Sequence, residues 1–260
     1  MLGLRILTAT FGIPVIILLV YLGGWFLVAG VAILAAIGVV EIHRMFHSRG
    51  IVFYPWLAIL WIWSLLTAVG LGKPLMSVLV LGVAIVAIVA LLSSPQESLQ
   101  GAVTTTWVAL YVGLFFAFLP LIREMVHGQF LAYTFFAVIW TTDTMAFFVG
   151  RRFGKHKLMP RVSPGKTWEG TVGGTVGGTV VAIGTFYLMH AHMVDGLIFG
   201  LVISVMGQIG DLLESAIKRY SGVKDSGGLL PGHGGVLDRF DSSLLTLPIA
   251  YYLLRGLGIH

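Results

Sequence analysis

Nine stretches of close to twenty predominantly apolar residues follow one another along the chain, at about 4–22, 24–41, 51–72, 74–92, 102–122, 129–149, 170–190, 196–215 and 241–258. Crossing ~30 Å of hydrocarbon takes about 20 apolar residues wound as a helix, because in lipid every backbone N–H and C=O must find its partner within the segment. The repetition predicts an all-α, polytopic integral membrane protein of about nine transmembrane helices, with no soluble domain. Composition agrees: only 10% of the 260 residues are charged, where a soluble chain carries about 25% to solvate its surface. The first stretch follows a single Arg5 and shows no small-residue cleavage site before Trp25, so it is expected to be a retained helix.

Nine crossings put the termini on opposite sides. With the N-terminus in the cytoplasm, only Lys73, Arg123 and Arg255 of the 16 Lys and Arg residues fall outside. The positive-inside asymmetry predicts that orientation, in a plasma membrane. The formal net charge is +5, but its cations sit in short loops between apolar stretches, where anionic lipid rather than nucleic acid is the expected partner. Cysteine is absent, so any metal must be held by carboxylate or imidazole.

Two loops, 150–169 and 216–240, are longer and more polar than the rest, and both are expected on the cytoplasmic face. Residues 1–128 read as transmembrane scaffold and dimerisation surface, with no chemistry assigned to the nearly polar-free first hundred residues. Residues 129–260 read as the catalytic region. Within it, TVGGTVGGTV at 171–180 places Gly170, Gly174 and Gly178, and again Gly173 and Gly177, four residues apart. Such rows let a neighbouring helix approach closely and predict packing rather than phosphate binding.

Asp143 and Asp211 fall inside or at the ends of membrane stretches, where an ionised carboxylate costs at least ~2.5 kcal/mol at the bilayer centre unless paired or hydrated. Helical spacing groups Asp211, Glu214, Ser215 and Lys218 on one face and Asp143, Phe147 and Arg151 on another. Asp238 and Asp241 form a third acidic pair where the last stretch begins. Acidic positions near one membrane face suit a hard divalent cation such as Mg²⁺, which takes oxygen ligands and retains water for a phosphate-bearing substrate.

The loop KRYSGVKDSGGLLPGHGGVLDRFD, from Lys218 to Asp241, adds glycines whose amides could line an anion nest, Gly234 and Gly235 among them. His233 between glycines suggests a phosphate or nucleotide contact. The GKT of Gly165, Lys166 and Thr167 is no P-loop, since Pro160 stands where that motif needs glycine. Ser163 before Pro164 instead predicts a helix N-cap with free amides behind it.

The run SAIKRYSGVKDSGGLLPGHGGVLDRFD, from Ser215 to Asp241, resembles the signature of the phosphatidate cytidylyltransferases at Ser215, Lys218, Arg219, Lys224, Asp225, Pro231, His233, Gly234, Gly235, Asp238, Arg239 and Asp241. The segments from Asp143, from Ser163 (SPGKTWEG) and from Gly207 (GQIGDLLES) are similar to that family too. One departure is Gly165, where members commonly carry a second lysine; Arg161 could supply the missing charge.

The resemblance implies transfer of CMP from CTP to phosphatidate, Mg²⁺ with a second cation such as K⁺, and a homodimer in the bacterial inner membrane with its polar cavity open to the cytosol. It implies metal at the positions matching Asp211 and Asp238, and Asp143, Asp225 or Asp241 are expected to assist. Lys218, Arg219, Lys224 and Arg239 would neutralise phosphates, while Ser163, Lys166 and Thr167 would contact the lipid phosphate or the nucleotide. Two other readings are a CTP-dependent polyprenol or phytol kinase, whose alcohol acceptor would need a base, and an anion transporter, which predicts polar breaks in both halves.

Overall fold

The computed structural model describes residues 2–93, 95–227 and 234–259, with side chains described from residue 12 onward save 95–97. His233, Pro231, Gly228 and Gly232 of the signature lie outside the described residues. The chain is mostly helix, in the order α1 (Leu2–Leu22), α2 (Gly24–His47), α3 (Pro55–Gly70), α4 (Leu75–Leu91) and α5 (Pro95–Val108), which continues through a wide π-type segment (Ala109–Leu114) into α6 (Phe115–Arg123). There follow α7 (Gly128–Phe153), strands β1 (Lys157–Met159) and β2 (Ser163–Thr167), α8 (Trp168–Leu188), α9 (Met193–Tyr220), α10 (Leu237–Leu244) and α11 (Thr246–Gly256). Among the described residues, 5 helical segments are long and apolar enough to cross a membrane: Gly24–His47, Ser98–Arg123, Gly128–Phe153, Trp168–Leu188 and Met193–Tyr220. Gly12–Leu22, Pro55–Gly70 and Leu75–Leu91 are shorter apolar helices.

Loop 150–169 and the last helix differ from the expectation. The loop is not irregular: β1 and β2 pair antiparallel, Lys157 opposite Thr167 and Met159 opposite Ser163, with an irregularity in register between them. Ser163 is a strand residue, not a helix cap. The cap is Thr167, whose Oγ1 accepts the Gly170 N–H at 3.1 Å, so α8 starts at Trp168. Pro164 has no N–H to give a ladder and is tolerated because a two-stranded hairpin has only edges. The last helical stretch starts earlier than expected, at Leu237, and is interrupted at Leu245.

The chain divides into two compact units, Met1–Leu121 with Ser221–Arg239, and Ile122–Tyr220 with Phe240–His260. In the first, α2 and α3 pack on the π-type segment, with Ile62 of α3 over Gly113 and Val112 against Gly38 of α2, and Val39, Ile42 and Leu65 are fully buried. α4 approaches α3 where Trp61 covers Gly82, its Nε1–H donating to the Val78 carbonyl at 3.1 Å.

In the second unit α8 lies between α7 and α9, and the glycine rows explain how. A Cβ on Gly170 or Gly174 would come within 2.7 Å of the Ala146 or Thr142 carbonyl oxygen of α7. Gly173 and Gly177 take the side chains of Val149 and Met145 from the same helix, while Gly200 of α9 leaves no room for a Cβ against the Thr179 backbone of α8. The Gly170 and Gly174 row therefore serves backbone approach and the Gly173 and Gly177 row seats side chains, both of them packing roles as the spacing predicted. The opposite face of α8 shows Val172, Val176 and Val180, each exposed as a lipid-facing stripe would be.

Candidate active site

Close packing of α7, α8 and α9 brings polar groups spread along the sequence to one place. In this second unit a cavity of about 620 Å³ is bounded by α7, β2, α8 and α9, within the range of small-molecule sites. Asp143, Phe147 and Arg151, one face of α7, all line it, and Asp211 faces it from α9. Ser163, Gly165, Lys166 and Thr167 enter from β2, and Lys157 from β1. Asp143 lies ten residues before the end of α7, about 15 Å along the axis at the α-helical rise.

Lys166 Nζ is 2.7 Å from Asp211 Oδ2 and donates to the Gln208 carbonyl at 3.4 Å. Ser215 Oγ donates to Asp211 Oδ1 and Ser242 Oγ to Asp143 Oδ1, both at 3.3 Å. Gln208, 7% exposed, reaches Thr171 O, Thr175 Oγ1 and Ser204 O from one amide nitrogen and so ties α9 to α8 beside the carboxylates. Thr142 Oγ1 donates to Ser204 Oγ at 2.9 Å, tying α7 to α9 one residue from Asp143. These buried bonds hold the helices in register, and with them the spacing of Asp143 and Asp211.

The remaining expected residues of this unit stand around that centre. Asp241 accepts the Ser242 N–H on Oδ1 at 2.7 Å. Lys218 is 9% exposed and pairs with Glu214 at 3.2 Å, off the cavity lining. Arg219 is exposed and donates from Nε to the Val162 carbonyl at 3.3 Å, bracing the hairpin turn. Arg161 is exposed and does not line the cavity. Arg151 and Lys157 line it instead.

Loop 221–239 belongs to the first unit, and it holds the residue that spacing alone missed. Glu41 of α2 is 2% exposed. Its Oε1 accepts the Val236 N–H at 2.8 Å, and its Oε2 accepts the Leu237 N–H at 3.0 Å and Ser226 Oγ at 3.1 Å. Asp238 Oδ2 accepts the Ser226 N–H at 2.8 Å, Ser226 Oγ at 2.9 Å and the Gly235 N–H at 2.8 Å.

The backbone amides at 235–237 are directed to the chain's own carboxylates rather than left open to a phosphate. Gly234 is left-handed at φ 76°, and a Cβ there would overlap the Asp238 carboxylate. A Cβ on Gly235 would overlap Ser226 Oγ and Glu41. Lys224 and Asp225 are exposed on this loop, and Arg239 is exposed on α10.

Among the described residues no three His, Asp or Glu side chains converge to cage a metal by themselves. Mg²⁺ does not require that, since it is commonly held by one or two carboxylates with waters and substrate phosphates completing its octahedron. Asp143 and Asp211, oxygen donors on one cavity, fit it.

A helical integral membrane protein whose cavity is lined by two carboxylates and three cations defines a class: a membrane enzyme built for a polyanionic substrate. The comparisons make the class specific. The model of the cytidylyltransferase family matches residues 3–257. The phosphatidate cytidylyltransferase of Staphylococcus aureus (strain COL) is 36% identical over 225 residues, 85% of this chain and 78% of that protein. The protein of that name from Bacillus subtilis (strain 168) is 47% identical over 156 residues, 57% of this chain and 56% of that protein. That from Staphylococcus saprophyticus is 43% identical over 166 residues, 63% of each chain. The chain belongs to the cytidylyltransferase family, as its signature motif implied, and is a nucleotidyltransferase.

Proposed function

We propose that this protein transfers CMP from CTP to phosphatidate, giving CDP-diacylglycerol and pyrophosphate. The observation that carries the reading is the cavity where Asp143 and Asp211 meet Arg151, Lys157 and Lys166 among membrane helices. The family and its relatives' names supply the two substrates.

An oxygen of the phosphatidate phosphate attacks the α-phosphorus of CTP. The P–O bond to the β-phosphate breaks, and pyrophosphate leaves with the bonding pair. The second ionisation of a phosphate monoester lies near pKa ~6, so at neutral pH the nucleophile is largely dianionic and needs no general base. The protein's task is to hold two polyanions in line and neutralise the charge gathering on the leaving group.

Asp143 and Asp211 would hold Mg²⁺, which when bound neutralises phosphate charge and acts as a Lewis acid. Lys166 neutralises Asp211 in this structure and is placed to turn to a phosphate as substrate and metal arrive. Arg151 and Lys157 supply the other positive charge of the cavity. Ser163 and Thr167 stand on the same hairpin, though the Thr167 hydroxyl also caps α8.

Asp238, Asp225, Lys224 and Arg239 of the first unit and exposed Arg219 of the second are further candidates for contact with the metal–triphosphate, and K⁺ is a candidate second cation. We place the enzyme in the bacterial plasma membrane as a homodimer of nine-span subunits, with its N-terminus and active loops cytoplasmic.

Product identity tests the reaction. Purified protein in detergent with Mg²⁺, phosphatidate and CTP labelled at the α-phosphate is expected to move the label into lipid and release pyrophosphate. Label remaining in free CDP while lipid gains the γ-phosphate would identify a kinase. CTP binding without turnover would favour transport.

A further inference from the structure

Glu41 is an isolated carboxylate in a helix whose other buried residues are apolar or glycine. An ionised carboxylate withdrawn from water needs charge-assisted hydrogen bonds to offset its desolvation. Here the donors come from 185 to 196 residues away in sequence: Ser226 Oγ, Val236 N–H and Leu237 N–H. Two glycines are shaped around it. A Cβ on Gly227 would lie 3.0 Å from Glu41 Oε1, and Gly235 has no room for one. The Ser226 hydroxyl also reaches Asp238 Oδ2, so both carboxylates hold the same serine.

We infer that Glu41 is a positioning residue for the reaction: from α2 it fixes the backbone at Ser226 and at 235–237, and through Ser226 it sets the conformation in which Asp238 is presented. This rests on the reading of Asp238 as a group that meets the metal–triphosphate. A residue of the apolar N-terminal half thereby controls the backbone at Ser226 and at 235–237. Glutamine cannot replace it, because its NH₂ would face an N–H or O–H donor where Glu41 has only acceptors. Aspartate is shorter by a methylene and would not reach both amides and the hydroxyl.

The test compares wild type, Glu41→Gln, Ser226→Ala, Asp238→Asn and Glu41→Gln/Asp238→Asn in the full-length protein in detergent. Amide hydrogen exchange is read alongside CTP turnover. Glu41→Gln is expected to exchange at least tenfold faster at Val236 and Leu237, with α8 unchanged. It should turn over at least tenfold more slowly and need several-fold more Mg²⁺ for half-maximal activity. Ser226→Ala should move the same quantities by a smaller factor, and it carries the test if Glu41→Gln does not fold. The double variant should be no slower than Asp238→Asn, since residues acting as one unit are not additive.

A merely structural role would reduce the folded fraction without moving the Mg²⁺ requirement. That result, wild-type turnover in Glu41→Gln, or losses that multiply in the double variant would overturn the inference. A wild-type chain that never turns over CTP would instead sink the functional reading, which wild-type turnover with an unaffected Glu41→Gln leaves standing.

Discussion

At the scale of single residues, legibility depended on whether partners are close in sequence. Asp143, Phe147 and Arg151 were readable as one helical face because 3.6-residue periodicity puts them there, and all three line the cavity. Glu41 was not, because its donors lie far along the chain and no local spacing links them. The 2.7 Å pair of Lys166 with Asp211 makes Lys166 the cation most directly tied to the carboxylates. Lys166→Ala should lower CTP turnover about 100-fold, or ~2.7 kcal/mol of transition-state stabilisation, while Lys166→Arg retains part of it; steady-state kinetics in detergent decide. Gly165 offers the opposite test. A Cβ there meets nothing within 4 Å, so Gly165→Lys should melt within about 2 °C of wild type, as open surface positions do. By adding a cation to the cavity rim it should also lower the half-saturating CTP concentration.

At the scale of elements, the long apolar helices and the glycine rows were legible because both follow from composition repeated at a fixed period. The hairpin was not. Ser163–Pro164 carries the same local signal as a helix start, and only the fold shows that Thr167 supplies the cap. Gly174→Leu should prevent α7 and α8 from meeting and cost at least ~3 kcal/mol, seen as loss of a folded peak in detergent chromatography. Gly184→Ala on the same helix, where a Cβ meets nothing, should be neutral or stabilise by up to ~1 kcal/mol. Thr167→Ala should cost about 1 kcal/mol in thermal unfolding through the lost cap and loosen the strand that carries Lys166.

At the scale of the whole molecule, membrane residence was the most legible property, because a 10% charged content leaves too little polar surface for water. The grouping of 221–239 with the N-terminal helices was not, since it rests on contacts far apart in sequence, those of Glu41 with Ser226, Val236 and Leu237 among them. The absence of cysteine makes the proposed orientation measurable: Arg161→Cys should react with an impermeant thiol reagent only from the cytoplasmic side, and Val126→Cys only from outside. We propose that CTP is turned over in the Asp143–Asp211 cavity. The most direct measurement is CDP-diacylglycerol formation by Asp211→Asn, in detergent with Mg²⁺, against wild type of equal folded fraction. A fall of at least about 100-fold is expected; near wild-type turnover would rule out this cavity as the site.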